Sequence, residues 1–245
     1  MTEAIAGKNP VLEALRAGRE INKIFLGENL TRDRAFKEII DIAKVNKIPV
    51  QNVTKTKLDD LSETNKHQGI VAMVAIKEYV SLEEVAQRKP LSELPIILMV
   101  DGIEDPHNLG AIIRTCDAVG AAGVVIPNRR NVGLTGIVSK ASAGAIEYVP
   151  VARVGNLVQT IDALKEMGFW VVGCEAAGQK TIYEIDLKMP LVLVVGGEGK
   201  GISRLVQEKC DFLVNLPMVG NISSLNASVA ASICLYEALK QRLSQ

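Results

Sequence analysis

A glycine-rich loop directly after an apolar run is the feature of this sequence best suited to binding a ligand. The run Leu191–Val195 contains no turn residue, as is typical of a buried strand. Four of the next six positions, Gly196 to Gly201, are glycine, which leaves the backbone open to close approach. The spacing matches neither the phosphate loop nor the dinucleotide-binding fingerprint. A plain surface turn would not need Glu198 among its glycines, so the loop indicates a nucleotide-like ligand.

A second group of polar residues follows another apolar run, Ile96–Val100. It forms a turn that ends at Asn108, which we expect to cap the next helix. Arg114 lies near the middle of that helix, among apolar and small residues. An arginine there is either exposed or salt-bridged, or it is aimed at a phosphate, whose oxygens suit the planar guanidinium.

A third group stands at the start of the long C-terminal helix, which we predict over residues 225–243. Ser223 and Ser224 come just before it, so at least one of them is expected to be its N-cap. Asn226 and Ser228 add further small polar side chains. A helix start of this kind permits close approach of a ligand or of another chain.

All three groups follow predicted strands. Ligands of open α/β sheets bind at the carboxyl ends of the strands. We therefore expect five polar side chains to converge there: Asn108, Arg114, Glu198, Ser224 and Asn226.

The elements that must position these groups alternate between strand and helix, which predicts an α/β fold. In a first module, residues 1–76, the strands are predicted at 21–26, 48–53 and 69–76 and the helices at 32–45 and 55–61. A further helix is predicted to start with Asn9 as its cap and Pro10 at its first position. Residues 77–95 are interpreted as a linker that carries a short capped helix at Ser81.

The region from residue 96 onward predicts a mostly parallel sheet with both faces covered. Its predicted strands are Ile96–Val100, Gly123–Ile126, Ala145–Val149, Phe169–Cys174, Leu191–Val195 and Phe212–Asn215. They alternate with predicted helices at 109–119, 136–143, 156–167, 202–208 and 225–243.

The composition excludes several classes of protein. The 245 residues carry a formal net charge of zero and 4% aromatic residues, which argues against a broadly basic surface and wide base-stacking platforms. A local basic groove would still bind RNA. We expect neither a signal peptide nor a membrane span. Four scattered cysteines and two histidines argue against disulfides and a zinc site, so the expected location is cytoplasmic and no metal is expected.

Three motifs follow one another in the C-terminal part of the chain. They are Asp-Pro-x-Asn-x-Gly at 105–110 followed by Arg114, Gly-x-Glu-Gly-x-Gly at 196–201, and Leu-Pro-Met-x-Gly-x-x-x-Ser-Leu-Asn-x-Ser-Val-Ala at 216–230. Together they resemble the SpoU, or TrmH, family of RNA ribose 2′-O-methyltransferases. The opening residues 6–15 resemble the first helix of the L30e-like RNA-binding domain found in many members, including the RlmB-type 23S rRNA guanosine methyltransferases.

The resemblance implies a SPOUT catalytic domain over 96–245, in which the C-terminal segment forms a trefoil knot. It implies an L30e-like domain over 1–76, a linker over 77–95, and a homodimer. S-adenosylmethionine would bind in the knot. The implied cofactor-binding residues are Gly196, Gly197, Gly199, Gly201, Leu216, Met218, Ser224 and Leu225. The implied catalytic group is the convergent set of five polar residues, in which Arg114 is the central member.

The implied reaction is methyl transfer from S-adenosylmethionine to a ribose 2′-hydroxyl, with a guanosine of 23S rRNA as the first choice of target. In the first module, the predicted RNA contacts are Lys8, Asn9, Lys66, His67 and Gln68. For Lys66, His67 and Gln68, the alternative is an exposed turn without function. Two other functions stay open: methylation of a tRNA ribose, and a non-catalytic RNA-binding protein on the same fold.

Overall fold

The computed structural model describes residues 2–28, 33–62, 66–88, 94–197 and 199–243. The chain divides into two compact units. The first comprises Met1–Glu78 with Gly133–Tyr148, and the second comprises Tyr79–Val132 with Val149–Gln245. Among the described residues, no helix combines the length and the apolar character needed to cross a membrane.

Strands and helices alternate along most of the chain. The strands are β1 Thr2–Ala6, β2 Ile21–Gly27, β3 Val50–Val53, β4 Ile70–Ala75, β5 Ile96–Asp101, β6 Gly123–Pro127, β7 Val151–Val154, β8 Trp170–Cys174, β9 Lys180–Thr181, β10 Leu191–Gly196 and β11 Phe212–Asn215. The helices are α1 Lys8–Arg16, α2 Arg34–Val45, α3 Lys55–Leu61, α4 Leu82–Gln87, α5 Pro106–Ala118, α6 Gly136–Ala141, α7 Leu157–Glu166, α8 Arg204–Gln207 and α9 Ala227–Leu243.

The first unit is built on a sheet of order β1-β4-β2-β3. β4 pairs antiparallel with β1 and β2, while β2 and β3 run parallel. α1 and α2 cover one face of this sheet with an apolar core, and α3 covers the other through Leu58. α6 packs against β1. The sheet with helices on both faces agrees with the predicted α/β fold, and β1 is a strand that the sequence analysis missed.

The start of α1 differs from the prediction. Gly7, with φ 110°, precedes the helix, and neither Asn9 nor Pro10 begins it. Pro10 is the third helical residue, where the backbone N–H that proline lacks would have no partner within the helix. The cap prediction for Asn9 is therefore wrong.

The second unit is built on a parallel sheet of order β7-β6-β5-β10-β8-β11-β9. α4, α7 and α8 cover one face, where Val192 and Val194 of the central strand β10 join the core. α5 and α9 pack together and lie beside β6, β8 and β10. All five residues Leu191–Val195 are buried, and each such side chain contributes about 1.5–3 kcal/mol to stability. The prediction of a mostly parallel sheet is confirmed.

Two predictions near these elements are wrong. Residues 145–149 do not form a strand, because Ala143 and Gly144 take positive φ values of 53° and 93° and direct the chain into the 3₁₀ turn Ala145–Glu147. The strand forms later, as β7. The predicted cap Asn108 is also wrong. The cap of α5 is Asp105, whose carboxylate accepts a hydrogen bond from His107 N, and Pro106 is the first helical residue.

Candidate active site

The glycine loop that follows β10 is closed on itself. Gly201 N donates to Gly197 O at 3.1 Å, and the two residues form an isolated antiparallel bridge. A Cβ at Gly196 would overlap the backbone of Gly201, and one at Gly197 would overlap the carbonyl oxygen of Gly102. Glycine is therefore required at both positions by backbone packing.

Glu175, at the end of β8, ties this loop to its neighbours. Its Oε2 accepts from Ile202 N at 3.0 Å and from Gln207 Nε2 at 3.4 Å. Its own backbone N donates to Val214 O of β11 at 2.8 Å. The carboxylate also fills the space that a Cβ at Gly201 would need. Sequence reasoning missed Glu175, and its position directly after a buried strand was the only signal that could have found it.

One cavity of about 660 Å³ lies at the carboxyl ends of β8, β10 and β11. This volume falls within the range of about 300–1,000 Å³ that is usual for ligand pockets. All the predicted cofactor-binding residues line it: Gly196, Gly197, Gly199, Gly201, Leu216, Met218, Ser224 and Leu225. Cys174, Glu175, Lys200, Asn215 and Ser223 also line it, which the sequence analysis did not foresee.

Asn226 joins α5 to α9 at this edge. Its Nδ2 donates to Asn108 Oδ1 at 3.0 Å, and Asn108 is buried. Its Oδ1 accepts from Ser228 N at 3.0 Å, from Val229 N at 3.3 Å, and from Ser228 Oγ at 2.6 Å. Asn226 is thus the N-cap of α9.

The cap predicted at Ser223 or Ser224 is therefore wrong. Both serines precede the cap and lie on the cavity wall instead. The helix begins two residues later than predicted, at Ala227. The amide of Asn226 can satisfy the first N–H groups of the helix through its oxygen and the buried Asn108 through its nitrogen, because its acceptor and its donor are separate atoms.

Arg114 stands on the exposed side of α5. Among the described residues, none forms a hydrogen bond or ion pair with its guanidinium. Next to it, Thr115 Oγ1 and Ser232 Oγ lie 2.9 Å apart, a second polar link between α5 and α9. Arg114 is not part of the cavity wall. Glu198, the remaining predicted catalytic residue, lies outside the described residues.

The cavity wall also carries Cys174, a thiol whose neighbour lowers its pKa. A hydrogen bond from the Cys234 thiol of α9 lowers the pKa of Cys174. The same hydrogen bond and burial raise the pKa of Cys234 well above its usual value, and burial raises the pKa of Cys210 to about 12 and that of Cys116 further still. Because the thiolate is the reactive form, we expect Cys174 to react before the other three cysteines.

The residues predicted to contact RNA lie together in the first unit, but several already have local partners. Lys8 Nζ pairs with Asp33 at 2.6 Å, and Lys8 N donates to Gln68 Oε1 at 3.0 Å. Asn9, Lys66 and Gln68 are exposed. His67 is buried, with its Nε2 3.1 Å from Asp59 and its Nδ1 accepting from Gly69 N. His67 thus shapes the loop, and its contact with RNA stays a prediction.

No group of three or more His, Cys, Asp or Glu side chains in the described ranges is arranged to hold a metal ion.

Comparison with known proteins identifies the family. The SpoU rRNA Methylase family matches residues 95–236, and the RNA 2′-O ribose methyltransferase substrate binding family matches residues 4–80. The chain belongs to the SpoU methylase family. The resemblance drawn from the three motifs is confirmed, and the protein is a SpoU-family RNA methyltransferase.

Relatives of this family align along almost the whole chain. A TrmH family tRNA/rRNA methyltransferase of Bacillus subtilis, YacO, is 50% identical over 241 residues, covering 97% of this chain and 95% of its own length. A TrmH family relative in Staphylococcus saprophyticus is 50% identical over 239 residues, with coverage of 97% and 95%.

Solved SpoU structures share the fold. The methyltransferase AviRb of Streptomyces viridochromogenes, in complex with S-adenosylmethionine, superposes with a TM-score of 0.82 at 24% identity, covering 100% of this chain and 92% of its own. An RNA 2′-O ribose methyltransferase superposes with a TM-score of 0.81 at 26% identity, with coverage of 99% and 89%.

Proposed function

We propose that this SpoU-family enzyme transfers a methyl group from S-adenosylmethionine to a ribose 2′-hydroxyl of RNA, and that its target is a guanosine of 23S rRNA. The cavity carries the proposal. The glycine loop, residues 216–218 and residues 223–225 line one space of suitable size. The first turn of α9 also lines it, and the Asn108–Asn226 hydrogen bond ties that turn to the helix that bears Arg114.

The residues on the wall fit the cofactor. Apolar side chains at Leu216, Met218 and Leu225 suit its adenine, and the exposed backbone of the glycine loop offers hydrogen-bonding groups. The carboxylate of Glu175 suits its positive charges. When bound, S-adenosylmethionine supplies a sulfonium methyl group that is already activated for displacement.

The chain must then activate the other reactant, since a neutral ribose hydroxyl is a weak nucleophile. Alignment and charge support at the oxygen lower this barrier. An arginine keeps its charge in proteins, so Arg114 acts as a cation: it holds an RNA phosphate that accepts the hydroxyl proton, or stabilises the alkoxide as it forms. Asn108 and Asn226 hold its helix in place. Ser224 is assigned to orient the ribose, and Glu198 to fix the loop.

Cofactor binding can be measured without turnover through Cys174. Iodoacetamide should alkylate this cysteine first. At a cofactor concentration about ten times Kd, mass action leaves about one tenth of the cavity open, so alkylation should slow about tenfold. Mass spectrometry of the labelled peptides gives the rate for each cysteine. An unchanged rate at Cys174 under saturating S-adenosylmethionine would show that the cofactor binds elsewhere.

Substitution of Arg114 tests the catalytic assignment. Arg114→Ala should reduce kcat for methyl transfer about 10²–10³-fold, as expected for loss of a group that stabilises developing charge. Its affinity for S-adenosylmethionine by calorimetry should match the wild type, because Arg114 is not on the cavity wall. Unchanged turnover would remove Arg114 from the mechanism. Cofactor binding with no transfer to any RNA in the wild type would favour the non-catalytic alternative.

The choice between RNA targets depends on the first unit. A substrate-binding domain before the catalytic region supports rRNA, while relatives carry both tRNA and rRNA in their names. Incubation with labelled S-adenosylmethionine and total RNA from a strain lacking the enzyme, followed by mapping of the methylated ribose, separates the two. Label on tRNA alone would overturn the rRNA assignment.

We also propose a cytoplasmic homodimer with a knotted C-terminal region. Apolar side chains at Val219, Ile222, Val229 and Tyr236 are exposed on the segment before α9 and on α9 itself. Apolar side chains that are grouped on a surface mark a contact with another chain, and these four belong to one continuous segment of the sequence. Light scattering after size exclusion should give twice the chain mass, and a monomer at micromolar concentration would contradict the assignment.

A further inference from the structure

Two adjacent arginines stand on a loop of the second unit that the mechanism above does not use. Residues 128–132 follow β6, at the carboxyl edge of the parallel sheet. We call this segment the arginine loop. Arg129 and Arg130 are both exposed. Within the described part of the chain, neither guanidinium forms an ion pair or hydrogen bond. Two unpaired cations side by side repel each other, and an anionic partner would relieve this repulsion.

The arginine loop is held firmly although its tip is exposed. Asn131 Oδ1 accepts from Ile103 N at 3.0 Å, and Val132 N donates to Ile103 O at 2.8 Å. At its other end, Asn128 N donates to Val154 O at 2.8 Å. The two arginines are thus presented from a fixed backbone, which lowers the entropy cost of binding.

Arg130 also takes a backbone conformation that disfavours it. Its φ is 58°, in the left-handed region that glycine adopts more easily than any residue with a side chain. A glycine would therefore serve the fold of this loop better than an arginine does. An unfavourable residue held in such a conformation is a reason to look for function.

A third arginine and an aromatic ring extend the surface. Arg153 of β7 is exposed, its Nη2 donates to Asn128 O at 3.1 Å, and its guanidinium lies 5.3 Å from the ring centre of Tyr79. The surface therefore presents three guanidinium groups, whose planar donors match phosphate oxygens. The two residues that follow Ile103 are acidic: Glu104, which is exposed, and Asp105, which caps α5.

The position of this surface relates it to the proposed chemistry. Ile103, to which the loop is tied, lies in the segment that leads into α5 with Asn108 and Arg114. We propose that Arg129, Arg130 and Arg153 form a binding surface for the sugar–phosphate backbone of the RNA substrate on the methyltransferase unit, beside the helix of Arg114. This inference rests on the proposed function and adds the residues by which the second unit itself holds RNA.

The test compares Arg129→Ala and Arg130→Gly with Lys188→Ala. Lys188 is an exposed cation of the same unit. It precedes β10 and therefore lies at the amino ends of the strands, away from the arginine loop at their carboxyl ends. Each arginine variant should bind a single-stranded RNA of about 12 nucleotides roughly tenfold more weakly, by fluorescence anisotropy at low salt. Each should also lower the slope of log affinity against log salt by about 0.7, the value for one lost phosphate contact on a single strand.

Two further readouts separate a binding role from a structural one. Arg130→Gly should unfold at the same or a higher temperature than the wild type, while its KM for RNA rises and kcat at saturating RNA stays within about twofold. Calorimetry should give unchanged affinity for S-adenosylmethionine in both arginine variants.

RNA affinities and salt slopes equal to those of Lys188→Ala would overturn the inference. Fluorescence anisotropy measures RNA affinity directly, so it tests the arginine loop even if total RNA accepts no methyl group. A failure to methylate total RNA would count against the proposed function alone.

Discussion

Glu175 shows how a single side chain can set the shape of the proposed cofactor site. It is a carboxylate on the cavity wall, and it accepts a hydrogen bond from Ile202 N, directly after the glycine loop that lines the same cavity. The glycine motif was visible in the sequence because glycines at this density are unusual. The carboxylate was not visible, because it lies more than twenty residues before Gly196 and only the parallel pairing of β8 with β10 brings them together.

At this scale we predict that Glu175→Gln weakens cofactor binding without unfolding the protein. The amide keeps the size of the carboxylate but loses its charge, and the hydrogen bond from Ile202 N becomes a neutral one. Hydrogen bonds to charged groups contribute about 1.5–3 kcal/mol, so affinity for S-adenosylmethionine should fall at least about tenfold. Calorimetry measures this.

Glu208→Gln is the matched control for Glu175. Glu208 belongs to the same unit and is exposed, and it pairs with Arg204 on the surface. Its substitution should leave cofactor affinity unchanged. Equal affinities for the two variants would mean that Glu175 does not shape the site.

At the scale of elements, the sequence predicted most helices and strands but placed several boundaries wrongly. Uninterrupted apolar runs predicted the central strands, since each is buried along its length. The caps were harder, because several residues near each helix start could serve. Asn108 and Ser224 are good caps by residue type, yet Asp105 and Asn226 do the capping. Pro106 at the first helical position favours Asp105, whereas the choice of Asn226 depends on the packing of α5 on α9.

Asn226 allows capping and helix pairing to be measured separately. Asn226→Ala removes both, and loss of a cap alone costs about 0.5–2 kcal/mol. We expect its free energy of unfolding in urea to fall by about 2 kcal/mol, because Asn108 is also left without this buried donor. Asn226→Asp keeps the acceptor for the helix but cannot donate to Asn108, so it should lose less. Ser224→Ala should stay within about 0.5 kcal/mol of wild type, and a larger loss there would contradict the capping assignment.

At the scale of the whole molecule, the compact units do not follow a single cut of the chain. Residues 133–148 lie inside the predicted catalytic region 96–245, yet they belong to the first unit. Ionic contacts join them to it: Glu147 pairs with Arg19 at 2.7 Å and with Lys77 at 3.4 Å, and Arg19 also pairs with Glu3. Helix and strand propensity and sequence motifs could not predict these ion pairs. Glu147 lies far from Arg19 and Lys77 in the sequence, and each of the three is typical of an ordinary surface charge.

The ion pairs of Glu147 and Arg19 predict how a substitution changes the stability of the first unit. The Glu147 side chain is 1% exposed and that of Arg19 is 7% exposed. Removing one partner of a buried pair typically costs about 3–5 kcal/mol when the other charge is left uncompensated. Arg19 keeps its pair with Glu3, so Glu147→Gln should lower the free energy of unfolding of the first unit by less, about 1.5–3 kcal/mol, the range for hydrogen bonds to charged groups. Hydrogen exchange of the core strands measures this loss. Glu38→Gln, which breaks a more exposed pair with Arg16, should cost about 1 kcal/mol or less.

Affinity for S-adenosylmethionine should be the same in both variants, because every residue of the cavity wall belongs to the second unit. Equal protection of the first unit in the two variants would mean that residues 133–148 are held by apolar packing and not by these charges.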